Sequence, residues 1–244
     1  MLKNVNRILI IKLRDIGDIV LSTPVIQTMY ENCNSPKIVY VLKKEYENFK
    51  YLLPHVSEVI TYDKKSILNL ITLIFRLRRY KFDIAINLHA TFRSALITRL
   101  SGAKLRLVHN HSGKDWFTSA PLGIKEEPKP ITLRDLETLK PLAIKMPPLN
   151  SIKTKLTIKE KDIKYIDDHP DANTVGFGIG AKRPAKMWKT ANFIELGKIL
   201  TEKKMKIAVF ASYAERELGL QIVNALGNNA KLYCGLDFLK LAFL

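Results

Sequence analysis

Short apolar runs recur along the first hundred residues of the chain, each followed by a longer amphipathic stretch. RILIIKL (7–13) has no polar alternation and reads as a strand buried on both faces. A helical pattern follows through about Tyr30. KIVYVLKK (37–44), EVITYD (58–63), FDIAINLH (82–89) and LRLVHN (105–110) read as four further strands. YENFKYLL (46–53) predicts a short helix, Ser66 to Tyr80 a longer one, and TFRSALITRLSG (91–102) a helix closed by Gly102. Apolar strands separated by helices predict βαβ units and a mostly parallel sheet.

From about 111 to 150 that rhythm is lost. The stretch is rich in Pro and Lys (EEPKP, KMPPLN), with one helical pattern at TLRDLETLKPLAI (132–144). A Pro-Pro pair after a helix reads as a stiff linker. A second series then begins: strands NTVGFGIG (173–180), MKIAVFAS (205–212) and AKLYCG (230–235), with helices at 190–204 and 214–226. LDFLKLAFL (236–244) opens another helix. The expected architecture is α/β, with two Rossmann-like domains, 1–150 and 151–244. The second has three strands against five in the first.

Composition narrows the class. With 244 residues, 47% apolar and 26% charged, the chain can bury a real core. Two distant cysteines, Cys33 and Cys234, suggest neither a disulfide framework nor a zinc site and fit a reducing compartment. No secretory leader is legible at the N-terminus, so the expected location is the cytoplasm. The most apolar run, SILNLITLIF (66–75), is too short for a span of about 20 residues. It reads either as a packed amphipathic helix with a basic exit or as a helix on an anionic membrane surface, with Arg76, Arg78 and Arg79 at the headgroups. Forty Lys and Arg against 23 Asp and Glu give a net charge of +17 and predict an acidic partner. The basic residues are spread along the chain and no nucleic-acid motif accompanies them, so nucleic acid is not the expected partner.

Three stretches carry candidate chemistry. RDIGD (14–18) turns the chain at the carboxyl end of the first strand, where open α/β sheets bind ligands. Gly17 there permits a positive φ or a close ligand approach. Asp18 is either a helix N-cap or, if Thr23 and Pro24 start the helix, a carboxylate free for catalysis. The dinucleotide fingerprint G-x-G-x-x-G is absent. GIGAKRPAKMWK (178–189) puts Lys182, Arg183, Lys186 and Lys189 in a loop ahead of a helix, suited to a diphosphate or simply solvated. In SYAERE (212–217), Glu215 can bind ribose hydroxyls or serve as a first-turn carboxylate. HNH (109–111) lacks partners for a metal site, and DDHPD (167–171) reads as a solvated loop.

Taken in order, four stretches resemble glycosyltransferase family 9, the ADP-heptose:lipopolysaccharide heptosyltransferases and their relatives. They are ILIIKLRDIGDIVLSTPVIQTM, FDIAINLHATFRSALITRLSGAKLRL, AKRPAKMWKTANFIELGKIL and FASYAERELGLQIVNAL. The resemblance implies a GT-B fold with acceptor bound by the first domain and nucleotide-sugar by the second. It implies inverting, metal-independent transfer of heptose from ADP-heptose to the acidic lipopolysaccharide inner core, without a cofactor. Asp18 inherits the role of catalytic base. Lys186, with Lys182, would stabilise the departing diphosphate and Glu215 would hold the ribose. Gly17 and Arg93 would meet the acceptor, in peripheral contact with the cytoplasmic membrane surface.

The family's Asp-[Ser/Thr]-Gly-x-x-His donor turn is absent from these 244 residues. The expectation is therefore a C-terminally truncated transferase with an incomplete second domain and an exposed apolar sheet edge. Two rivals stand beside it: a non-catalytic remnant that binds acceptor glycolipid alone and, behind it, a basic nucleic-acid binder.

Overall fold

A computed structural model describes residues 2, 4–89, 91–109, 115–120, 128–158, 170–181 and 183–243. The chain divides into two compact units, 1–157 and 158–244.

In the first unit, β1 (Arg7–Ile11), β2 (Lys37–Lys43), β3 (Val56–Tyr62), β4 (Ile84–Asn87) and β5 (Leu105–Val108) form one sheet in the order β3-β2-β1-β4-β5. Every pairing is parallel, with Ile8 beside Ile38 on one flank and Ile84 on the other. Ile8 to Ile11 are all fully buried, as expected of a central strand covered on both faces. Leu9, Ile11, Val39, Val41 and Ile60 point to one face and pack with Leu70, Leu73 and Leu77 of α3 (Ile67–Arg78) and Ile97 of α4 (Phe92–Leu100). Ile8, Ile10, Ile38 and Tyr40 take the other face by the two-residue period of a strand. Gly102 adopts φ +77° just past α4 and ends it where the sequence places the stop.

The expected single helix after β1 is two: α1 (Ile16–Leu21) and α2 (Thr23–Asn32). Ser22 separates them. Its hydroxyl bonds the Ile19 carbonyl at 2.7 Å and the Tyr40 hydroxyl at 2.7 Å, which pins the break onto β2. In the Pro-rich stretch, α5 (Ile131–Glu137) packs against α1 and α2, and a 3₁₀ turn follows at Lys140–Leu142.

The second unit has β6 (Thr174–Gly178), β7 (Lys206–Ala211) and β8 (Ala230–Cys234) in a parallel sheet ordered β6-β7-β8. Its core gathers Phe177, Ile207 and Val209 from the sheet with Ile222 and Leu226 of α7 (Arg216–Leu226). Gly197 of α6 (Thr190–Glu202) lies where a Cβ would meet Leu226 Cδ1 at 2.5 Å, so its bare backbone admits that leucine between the two helices. α8 (Phe238–Phe243) follows β8. Among the described residues β8 pairs with β7 alone, so the sheet has an edge there.

Candidate active site

The strand order reverses between β1 and β4, which is the position in an open α/β sheet where loops splay and a ligand can enter. Asp15 precedes α1 in extended conformation and occupies the N-cap position, although its side chain makes no cap bond there. It instead pairs with Lys43 at 2.8 Å and accepts from the Tyr46 hydroxyl at 3.0 Å. Asp18 is thus neither the N-cap nor in a loop. It is the third residue of α1, and its Oδ1 is buried without a hydrogen-bond partner among the described residues. Thr23 begins α2 rather than capping it; its hydroxyl donates to the Val20 carbonyl at 2.7 Å. Gly17 lies within α1 and is not among the positive-φ glycines, so the positive-φ reading fails. A Cβ there would meet nothing within 4 Å, which leaves room for a ligand.

Beneath this turn lies a feature that the sequence reading missed. Lys12, one residue past β1, is fully buried and bonds Asp135 of α5 at 2.5 Å, itself fully buried. Burial raises the Asp135 carboxyl to about 6 against the pull of Lys12. It lowers the Lys12 ammonium despite the attraction of Asp135 and of Asp18. Asp18 therefore feels both members of a buried ion pair. The available signal was a lysine ending a wholly apolar run, with a carboxylate on the apolar side of the TLRDLETL helix. Only the fold brings them together.

The end of β4 lies beside the end of β1, with Asn87 opposite Ile11. Asn87 is fully buried, and its Oδ1 accepts from the His89 amide at 2.8 Å. Both ring nitrogens of His89 and the Asn87 Nδ2 are buried without partners among the described residues. Burial, then the charges of Lys64, Arg14, Lys12 and Lys43, depress the imidazole to about 3, so His89 is neutral at physiological pH. Arg93, second in α4, donates to the Lys64 carbonyl at 3.2 Å and stands at this same edge of the sheet. The edge is therefore rich in cations; Asp15 there is taken up by Lys43, whereas Asp18 keeps one buried oxygen without a hydrogen-bond partner among the described residues.

In the second unit, Lys186 ends a 3₁₀ turn (Pro184–Lys186) between β6 and α6. It is exposed, and its ammonium has no partner among the described residues. Lys182 lies outside the described residues. Glu215 follows β7 and accepts from the Ser212 amide at 2.9 Å and the Ser212 hydroxyl at 2.5 Å, a reciprocal cap on the 3₁₀ turn Tyr213–Glu215 that leads into α7. Its carboxylate packs over Gly180, at a distance no Cβ would tolerate. The loops after β6 and β7 thus meet at Gly180 and Glu215. Glu215 is a capping residue by geometry, and its Oε1 takes no hydrogen bond among the described residues. Asn110 and His111 of the HNH stretch, and 167–169 of DDHPD, also lie outside the described residues.

Comparison with known proteins places the chain in a lineage. A family 9 glycosyl transferase from Veillonella parvula DSM 2008 superposes with a TM-score of 0.78 at 21% identity, over 96% of this chain and 70% of that one. E. coli ADP-heptose lps heptosyltransferase II gives 0.78 at 21%, over 97% and 75%. E. coli heptosyltransferase WaaC with ADP-2-deoxy-2-fluoro heptose gives 0.77 at 15%, over 97% and 79%. These likenesses establish a GT-B type fold with mostly parallel sheets. No curated protein matches the chain in sequence. The model of glycosyltransferase family 9 (heptosyltransferase) matches residues 70–238, more than half of the chain. The chain is a glycosyltransferase by lineage and belongs to glycosyltransferase family 9.

Proposed function

We propose that the chain transfers heptose from ADP-heptose, or a related nucleotide-sugar, to the lipopolysaccharide inner core, with inversion and without a metal. The observation that carries this reading is Asp18, a carboxylate with a buried, unpaired oxygen in a cationic wall at the switch point of the first sheet. Asp18 takes the proton of an acceptor hydroxyl as that oxygen bonds the anomeric carbon from the face opposite the diphosphate. The bond from the anomeric carbon to the diphosphate oxygen breaks, and ADP leaves. Lys186 and Lys182 neutralise the charge that develops on it. Glu215 receives the ribose through its open oxygen. The first unit, 1–150 in the sequence reading, takes the acceptor, and the second, 151–244, takes the donor. Gly17 leaves space for the acceptor sugar, Arg93 and its cationic neighbours meet its acidic groups, and neutral His89 offers one donor and one acceptor to hydroxyls. A lipid-linked acidic acceptor places the protein at the cytoplasmic face of the inner membrane, in peripheral contact with it.

The test is transfer from ADP-heptose to a heptose-free core acceptor by Asp18→Asn and by the unaltered chain. The expected loss is roughly 10²–10⁴-fold in rate, the range for a positioned base. Normal turnover in the variant, with an unchanged melting temperature, would remove Asp18 from the mechanism. A second reading is the remnant, which binds acceptor without transfer. Calorimetry separates the two: the transferase binds ADP and acceptor, the remnant acceptor only.

A further inference from the structure

Helix α3 buries Leu70, Leu73 and Leu77 against the sheet, which accounts for one apolar face. It has a second. Ile67, Leu68 and Phe75 are 67, 68 and 67% exposed and Ile71 is 43% exposed. At about 100° per residue these four share one arc of roughly 100°, on the side away from the sheet. Single exposed apolar residues are ordinary, but a contiguous stripe on one helix is not. Basic residues bracket the stripe. Lys64 and Lys65 precede the helix, Arg78 and Arg79 close it, all are exposed, and α3 contains no acidic residue. Arg76 is held by Glu58 at 3.0 Å, whereas Arg78 and Arg79 form no ion pair among the described residues. Arginines suit a helix C-terminus through the macrodipole, but that does not explain four exposed aliphatic and aromatic side chains beside them.

We infer that the outer face of α3 docks on an anionic phospholipid bilayer. Its apolar stripe enters the headgroup boundary while Lys64, Lys65, Arg78 and Arg79 meet lipid phosphates. Charge complementarity selects this occupant. Two copies of a chain carrying +17 repel each other, and a nucleic acid offers nothing to the apolar stripe. Lys64 also links the surface to the candidate site, because its carbonyl holds Arg93. This inference deepens the membrane part of the proposed function. Its test reads lipid binding and not sugar transfer, so either can fail alone.

The experiment is co-sedimentation of the chain with vesicles of equal parts phosphatidylcholine and phosphatidylglycerol, and with phosphatidylcholine alone. The unaltered chain is expected to pellet with the mixed vesicles and remain in solution with the neutral ones. Leu68→Ser/Ile71→Ser/Phe75→Ser should lower the partition coefficient about tenfold or more, and Arg78→Glu/Arg79→Glu comparably. Circular dichroism verifies that each variant is folded; if the triple variant is not, Phe75→Ser alone decides, with a loss of about threefold expected. Binding by the serine variants equal to that of the parent overturns the inference, since attraction would then come from charge alone. Failure of the parent to bind mixed vesicles overturns it as well. So does sedimentation velocity showing a dimer that the serine variant abolishes, because the stripe would then be a protein interface.

Discussion

His89 is the residue whose environment most constrains its own chemistry. Its folded-state value near 3 lies below the ordinary 6.5, so the native state refuses a proton that the unfolded chain accepts. The stability linked to this group is present above pH 6.5 and is lost as pH falls toward 3. His89→Gln removes that titration and should spare about 2 kcal/mol of the loss between pH 6.5 and about pH 5, measured by urea unfolding across that range. Asp135 acts in the opposite sense, because its folded value near 6 lies above the ordinary 3.8. Its contribution is present below pH 3.8 and fades as pH rises through 6, so the comparison with His89→Gln isolates the imidazole. Of these residues only Asp18 stood out in the sequence, because it follows Gly17 at the end of an apolar run. A buried histidine beyond β4 looks like any core histidine until the cations of β1, β2 and the β3–α3 turn are assembled around it.

Among elements, β1 and α5 are joined by the one fully buried ion pair among the described residues, Lys12 with Asp135. Removing one member strands the other charge: Asp135→Ala should cost about 3–5 kcal/mol. Lys12→Met with Asp135→Leu should leave stability within about 1 kcal/mol of the parent, or above it. Guanidinium unfolding of both variants checks the pair of outcomes. If the double variant is as stable as the parent yet transfers no sugar, the ion pair serves Asp18 rather than the fold. The elements themselves were largely legible, since eight apolar runs became eight strands in the expected order. The break at Ser22 was not. Thr23 and Pro24 marked a possible helix start, but not that another helix would precede it, and the bond from Ser22 to Tyr40 that fixes the break depends on β2 lying beneath it. The outer stripe of α3 was half legible: the apolar run was plain, but which side chains faced the sheet required the sheet.

For the whole molecule, the two units predict two thermal transitions. The second unit has three strands and the smaller buried cluster, so it should melt first in calorimetry. Under the proposed assignment, ADP at about a hundredfold over its dissociation constant stabilises that transition alone by about 2.7 kcal/mol. A shift in the upper transition instead would move the nucleotide to the first unit. Topology has a further consequence for how the chain is made. β1 is the first apolar stretch to be synthesised, yet the Arg7 amide that opens it awaits the Asp83 carboxylate, 76 residues later. At the usual 5–20 residues per second, a ribosome needs about 4–15 s to deliver that partner. Until then RILII can pair with β2 alone, and only once residues 37–43 have been made. The strand that ends at the candidate active site is thus also the one whose pairing waits longest on synthesis.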